Sequence, residues 1–98
     1  MASYIALFNW TDQGIHKVKD TVKRAEDFKA SIQNSGGSLK SVYWTMGRYD
    51  GVLIFEAPND ETAAAVMMSG CALGNVRTET LRAFSESEIP GVLAKVGT

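Results

Sequence analysis

Apolar and polar residues fall into blocks with two different periods along this chain. Tyr4 to Trp10 is rich in aromatic and aliphatic residues, is bounded by the polar stretch Thr11-Asp12-Gln13-Gly14, and reads as a strand. The period then changes. Ile15, Val18, Val22, Ala25, Phe28 and Ile32 recur at three- and four-residue steps, with Lys17, Asp20, Lys23, Arg24 and Asp27 between them, which is the spacing of one long amphipathic helix. Thr11 or Asp12 can cap its start, and Gly36-Gly37 can end it in left-handed backbone. Leu39 to Met46 and Val52 to Ala57 read as two further strands, joined through Gly47-Arg48-Tyr49-Asp50-Gly51, a connection of hairpin length. Asn59 is placed to cap a second helix, with Asp60 and Glu61 at its positive dipole end and Ala63, Val66, Met67, Gly70 and Leu73 as its buried stripe. Gly74-Asn75 closes that helix, and Val76 to Phe84 reads as a fourth strand. In the tail, Ser85 and Glu88 have capping-box spacing, but a helix begun there would carry Pro90 beyond its first turn. Ser87 is the expected cap instead, for a short final helix from about Glu88 to Val96.

Strand, helix, strand, strand, helix, strand is the split β-α-β pattern. Two right-handed crossovers interleave to give one antiparallel sheet with both helices on one face, an α+β, ferredoxin-like arrangement. The first strand has Ile5 and Leu7 on one face and Tyr4, Ala6, Phe8 and Trp10 on the other, and the third sets Leu53 and Phe55 against Val52 and Ile54. A sheet that met water on one side would alternate between apolar and polar residues. A sheet apolar on both faces calls for a second cover that the short tail is too small to supply. A homodimer, or a higher even oligomer, with sheets facing each other is therefore expected.

Length fits this picture, since 98 residues make one domain, 1–98, whose modest core gains from association. Lysine and arginine total 10 against 11 acidic residues, without a basic stripe, which argues against nucleic acid or an anionic membrane as partner. Met1 to Trp10 lacks the charge and length of a secretory signal, and the apolar runs are too short to span a bilayer, so a cytoplasmic protein is expected. The single cysteine, Cys71, has no second cysteine for a disulfide or a shared metal and reads as a small packed apolar residue.

The turn Gly47-Arg48-Tyr49-Asp50 resembles the signature of the GYD family. So do Trp10-Thr11-Asp12-Gln13-Gly14, Val18-Lys19-Asp20-Thr21, Tyr43-Trp44-Thr45, Glu56-Ala57-Pro58 and Gly74-Asn75-Val76-Arg77-Thr78, in the same order. The resemblance runs end to end. It implies a ferredoxin-like fold and a dimeric α/β barrel, and it carries over no activity or catalytic residue, since the family has no settled one.

Topology brings the end of the first strand, the central hairpin and the start of the fourth strand to one edge. That edge would gather Trp10, Asp12, Gln13 and His16 with Arg48, Tyr49, Asp50, Asn75 and Arg77, and Trp10, Asp12, His16, Arg48, Tyr49, Asp50 and Arg77 are the ligand-binding candidates. Each also has a plainer role. Asp50 before Gly51 can bond backbone N–H groups in the hairpin, Arg48 can pair with Asp12 or Asp50, and Tyr49 can lay its ring on the sheet edge. His16 is the only histidine, on a half-exposed helix, where it could act near neutral pH or simply face solvent. No nucleophile elbow, phosphate loop, dinucleotide fingerprint or zinc-protease motif occurs, so neither cofactor nor metal is expected. Three functional classes follow in order: a homo-oligomeric domain binding a small metabolite at the loop edge or between the sheets, a cofactor-independent enzyme on a small organic substrate, and a structural or regulatory protein-interaction module.

Overall fold

Strand β1, Ala2–Trp10, lies between two neighbours and organises the molecule. It pairs antiparallel with β3 (Gly51–Ala57) and with β4 (Val76–Ala83), while β2 (Ser38–Trp44) pairs antiparallel with β3, giving the sheet order β2-β3-β1-β4. This is a computed structural model describing residues 1–97. Between β1 and β2 run α1 (Asp12–His16), a 3-10 turn at Val18–Asp20, and α2 (Thr21–Asn34); α3 (Asp60–Ala72) joins β3 to β4, and α4 (Ile89–Leu93) follows the sheet. None of these helices is long and apolar enough to cross a membrane.

The two-faced sheet is found as expected. Tyr4, Ala6, Phe8, Leu53, Phe55 and Ala57 are buried against Ile32 of α2 and Ala63, Val66 and Met67 of α3, so both long helices cover the same sheet face. Tyr4 stacks on Phe55 with ring centroids 5.2 Å apart, and Phe28 of α2 meets Phe55 edge to face at 6.2 Å. The Tyr4 hydroxyl donates to the Asp60 carboxylate in the first turn of α3, and burial, reinforced by that carboxylate, raises the phenol above its usual pKa. The Asn59 side chain caps α3 by accepting the Thr62 N–H at 2.8 Å. On the opposite face Ile5, Leu7, Val52 and Ile54 stay partly accessible.

Four local expectations are corrected. First, the helix expected after β1 is broken at Lys17, whose backbone (φ −117°, ψ 44°) leaves the helical region. Ile15 and Val22 are consequently 48% and 57% exposed rather than core. The break is held by Arg24, whose guanidinium donates to the carbonyls of Gly14 and Lys17. Second, Leu73 is 70% exposed, because α3 ends at Ala72 and the chain turns there through Gly74 (φ +88°). Third, β2 stops at Trp44, and Met46 is fully exposed; a bulge inserts Lys40 between Leu39 and Ser41, so that Leu39 and Val42, three residues apart, both reach the core. Fourth, the Ser85–Glu88 box does form, with the Ser85 N–H donating to Glu88 Oε1 at 3.0 Å and the Glu88 N–H to Ser85 Oγ at 3.3 Å. It closes a separate turn before α4, so Pro90 falls in the first turn of a helix shorter than expected and Ser87 caps nothing.

Gly14 shows how tightly the segments meet. A Cβ there would lie 1.9 Å from the Asn75 carbonyl oxygen, so only glycine lets α1 approach the α3–β4 loop. Gly14→Ala is expected to cost about 1–3 kcal/mol through forced backbone shifts, read as a lower urea midpoint. An unchanged midpoint would mean that the loop moves aside freely.

In the tail, the Ser85 N–H and then its hydroxyl lower the Glu88 carboxyl pKa. A depressed folded pKa means that the bond's contribution is present above the unfolded value of about 4.3 and is lost as pH falls through the lower folded value. Acidification through that range should lower the amide protection of residues 85–96, taken relative to the intrinsic exchange rate at each pH, before that of the sheet; simultaneous loss of protection in both would contradict a separately held tail.

Candidate functional site

The edge predicted to gather the candidate residues exists, and most of its polar groups bond to backbone. The β1–β3 ladder ends at Phe8 opposite Gly51, leaving the next N–H of β1 beyond the end of β3. Asp50 supplies what is missing: its carboxylate accepts the Trp10 N–H at 2.9 Å while its own N–H donates to the Phe8 carbonyl at 2.9 Å. Asn9 donates from Nδ2 to the Arg48 carbonyl at 2.9 Å, and Thr45 Oγ1 donates to the Tyr49 carbonyl at 2.7 Å, so the Gly-Arg-Tyr-Asp turn is tied to β1 and to itself. Gly51 belongs to the same device, since a Cβ there would meet the Phe8 ring at 2.2 Å.

Thr11-Asp12-Gln13-Gly14 is tied to the other side. The Thr11 N–H donates to the Asn75 carbonyl at 3.1 Å and its hydroxyl to the Gly74 carbonyl at 2.6 Å, while the same oxygen caps α1 by accepting the Gly14 N–H. Gln13 Nε2 donates to the Leu73 carbonyl at 3.0 Å and to Asn75 Oδ1 at 2.9 Å.

The candidates therefore divide. Trp10 and Asp50 are joined directly. Arg48 pairs with neither Asp12 nor Asp50; its guanidinium lies 5.7 Å over the Tyr49 ring, because the Asp50 carboxylate is turned to the Trp10 N–H. The Tyr49 hydroxyl is 3.4 Å from the Glu79 carboxylate on β4. Asp12, His16 and Arg77 are exposed, and among the described residues no hydrogen bond or ion pair joins them to the hairpin. Among the same residues no group of three or more histidine, cysteine, aspartate or glutamate side chains is gathered to hold a metal.

A cavity of about 310 Å³ opens elsewhere, between α2, α3 and the sheet. Phe8, Phe28, Leu53, Met67 and Val76 give it apolar walls, and Arg24 and Asp27 are the charged residues of its lining; Arg48, Tyr49 and Asp50 do not line it. Trp44 stands in its wall, with its indole N–H donating to Thr21 Oγ1 at 3.0 Å. The sequence pattern puts Arg24 among the surface positions of a continuous helix. No periodicity marks its inward role, because that role follows from the break at Lys17.

A family model described as GYD domain matches residues 4–93. A Thermus thermophilus protein named glutamine synthetase and cystathionine beta-lyase binding protein is 27% identical over 90 residues, spanning 91% of this chain and 95% of its own length. The crystal structure of TTHA0845, also from Thermus thermophilus, superimposes with a TM-score of 0.55 at 25% identity, over 87% of this chain and 95% of that one.

Asp50 gives the direct test of a constructional role at this edge. Asp50→Ala strands a partly buried N–H and should cost about 1–3 kcal/mol in urea denaturation, with Asp50→Asn, which keeps an acceptor, losing less. Equal stability of all three proteins would reassign Asp50 to a role outside the fold.

Proposed function

The chain belongs to the GYD domain family, and we propose that it is a homo-oligomeric binding module acting through protein contacts. The observation that carries this reading is the sheet face turned away from the helices. Ile5, Leu7, Val52 and Ile54 form its apolar centre, Tyr43 (60% exposed) and Leu81 flank them, and Ser3, Ser38, Glu56, Arg77 and Glu79 supply polar groups around them. An apolar centre with a polar rim is the anatomy of a protein interface. Two such faces packed together would make the ferredoxin-like sheet half of a dimeric α/β barrel.

The tail offers a second contact surface. Ile89, Val92, Leu93 and Val96 are all more than a third exposed, and the side-chain bonds of this segment run to Arg82 and within Ser85–Glu88. Interaction with other proteins is supported by the Thermus thermophilus relative, whose name describes binding to glutamine synthetase and cystathionine beta-lyase.

Light scattering on the purified chain at tens of micromolar, followed by capture assays with purified glutamine synthetase and cystathionine beta-lyase, tests both parts. The expected result is an even-numbered assembly that Ile54→Glu converts to a folded monomer, together with capture of at least one enzyme. A monomeric native chain would overturn the facing-sheet reading, and an even assembly that captures neither enzyme would overturn the proposed partners.

A further inference from the structure

We propose that the cavity between α2, α3 and the sheet binds an uncharged small aromatic molecule, a single substituted ring carrying at most one hydroxyl. Protein interiors leave few voids larger than a water molecule. This one has a volume of about 310 Å³, at the lower end of the roughly 300–1,000 Å³ typical of ligand sites and about twice the roughly 150 Å³ of an engineered cavity that accepts benzene. Apolar surface is left uncovered around it, since Trp44 and Leu73 both belong to its lining and are 42% and 70% exposed.

The walls select an aromatic body. Phe8 of β1 and Phe28 of α2 line the space, the Trp44 indole is held in the wall by its N–H bond to Thr21 Oγ1, and Met67 and Cys71 bring sulfur into the same lining. Rings pair with rings at offset or edge-to-face angles and make favourable contacts with sulfur, so an aromatic ligand gains more here than an aliphatic one of similar shape. The charged residues select a neutral ligand. Arg24 Nη2 is committed to the Gly14 and Lys17 carbonyls, and Nη1 is buried out of reach of the cavity. The Asp27 carboxylate is 3.6 Å from Lys23 Nζ in a largely solvated pair, where a ligand ammonium would gain little. An ion entering the cavity would therefore lose water without gaining a partner, which is costly. One hydroxyl can be met. The Thr21 oxygen accepts the Trp44 N–H at 3.0 Å and Thr78 Oγ1 lies 3.4 Å from Cys71 Sγ, so each threonine hydroxyl keeps capacity for one more bond.

This site uses the helix-covered side of the sheet, so it goes beyond the proposed assembly through the opposite face and is read out separately from it. The test titrates the full chain with 3-phenylpropan-1-ol, 3-phenylpropanoate and 3-phenylpropylammonium, which share one body and differ in charge, and with 3-cyclohexylpropan-1-ol, which lacks the π-system. Heat and the methyl NMR signals of Met67, Leu53, Ile5 and Ile54 are followed, with oligomeric state measured on the same samples. The phenyl alcohol should saturate one site per chain with its largest shifts at Met67 and Leu53, each ion should bind at least about tenfold more weakly, as an unpaired charge implies, and the cyclohexyl alcohol should also be weaker. Gly70→Leu, whose Cβ would stand 3.5 Å from the Phe28 ring, and Ala25→Leu fill the space from opposite helices with a good helix former. Either variant that keeps native circular dichroism should lose alcohol binding at least about tenfold. The comparisons on the native chain decide the matter even if both variants unfold. Absence of saturable binding by the phenyl alcohol would show a merely hydrated cavity and overturn the proposal, as would an ion or the cyclohexyl alcohol binding as tightly, largest shifts at Ile5 and Ile54, or undiminished binding by a folded variant.

Discussion

Strand β1 is bonded along both edges, and its two ladders have different lengths. With β4 the pairing runs to Trp10 opposite Val76, but with β3 it stops at Phe8 opposite Gly51. The carboxyl end of β1 would therefore present unpaired backbone on one side only, in a partly buried place where an unmet N–H is costly. Asp50 resolves this by extending the β3 side of the ladder with its side chain, and the Asn75 carbonyl receives the Thr11 N–H on the other side. The close approach of hairpin, α1 and the α3–β4 loop follows from those two bonds, as does the demand for glycine at 14 and 51.

That constraint bears on function. The Gly-Arg-Tyr-Asp turn and the Thr-Asp-Gln-Gly segment owe much of their composition to construction, since their polar groups are largely spent on backbone partners. Surfaces left over from construction are where binding can occur: the apolar sheet face, the tail, and the cavity. The cavity is itself a product of the fold's compromises. Breaking the first helix at Lys17 frees carbonyls that recruit Arg24, and recruiting Arg24 buries a guanidinium nitrogen beside an apolar space.

Several elements were legible because their causes are local. The alternation through β1 and β3 places Tyr4, Ala6, Phe8, Leu53 and Phe55 in the core and Ile5, Leu7, Val52 and Ile54 opposite. The Asn59 cap depends on a side chain reaching a backbone N–H three residues on. The convergence of the turn with the ends of β1 and β4 needed only strand order, which right-handed crossovers dictate.

The sequence by itself thus determined the four strands, the two long helices and their order, the Thr11 and Asn59 caps and the two-sided apolar sheet, because period and local hydrogen bonding are properties of neighbouring residues. Only the tertiary structure decided that Ile15 and Val22 leave the core, that Lys40 bulges from β2, that Asp50 serves Trp10 forty positions away, and that Arg24 turns inward. Those outcomes depend on which backbone groups remain unpaired once the strands are in register, and that is known only when distant segments meet.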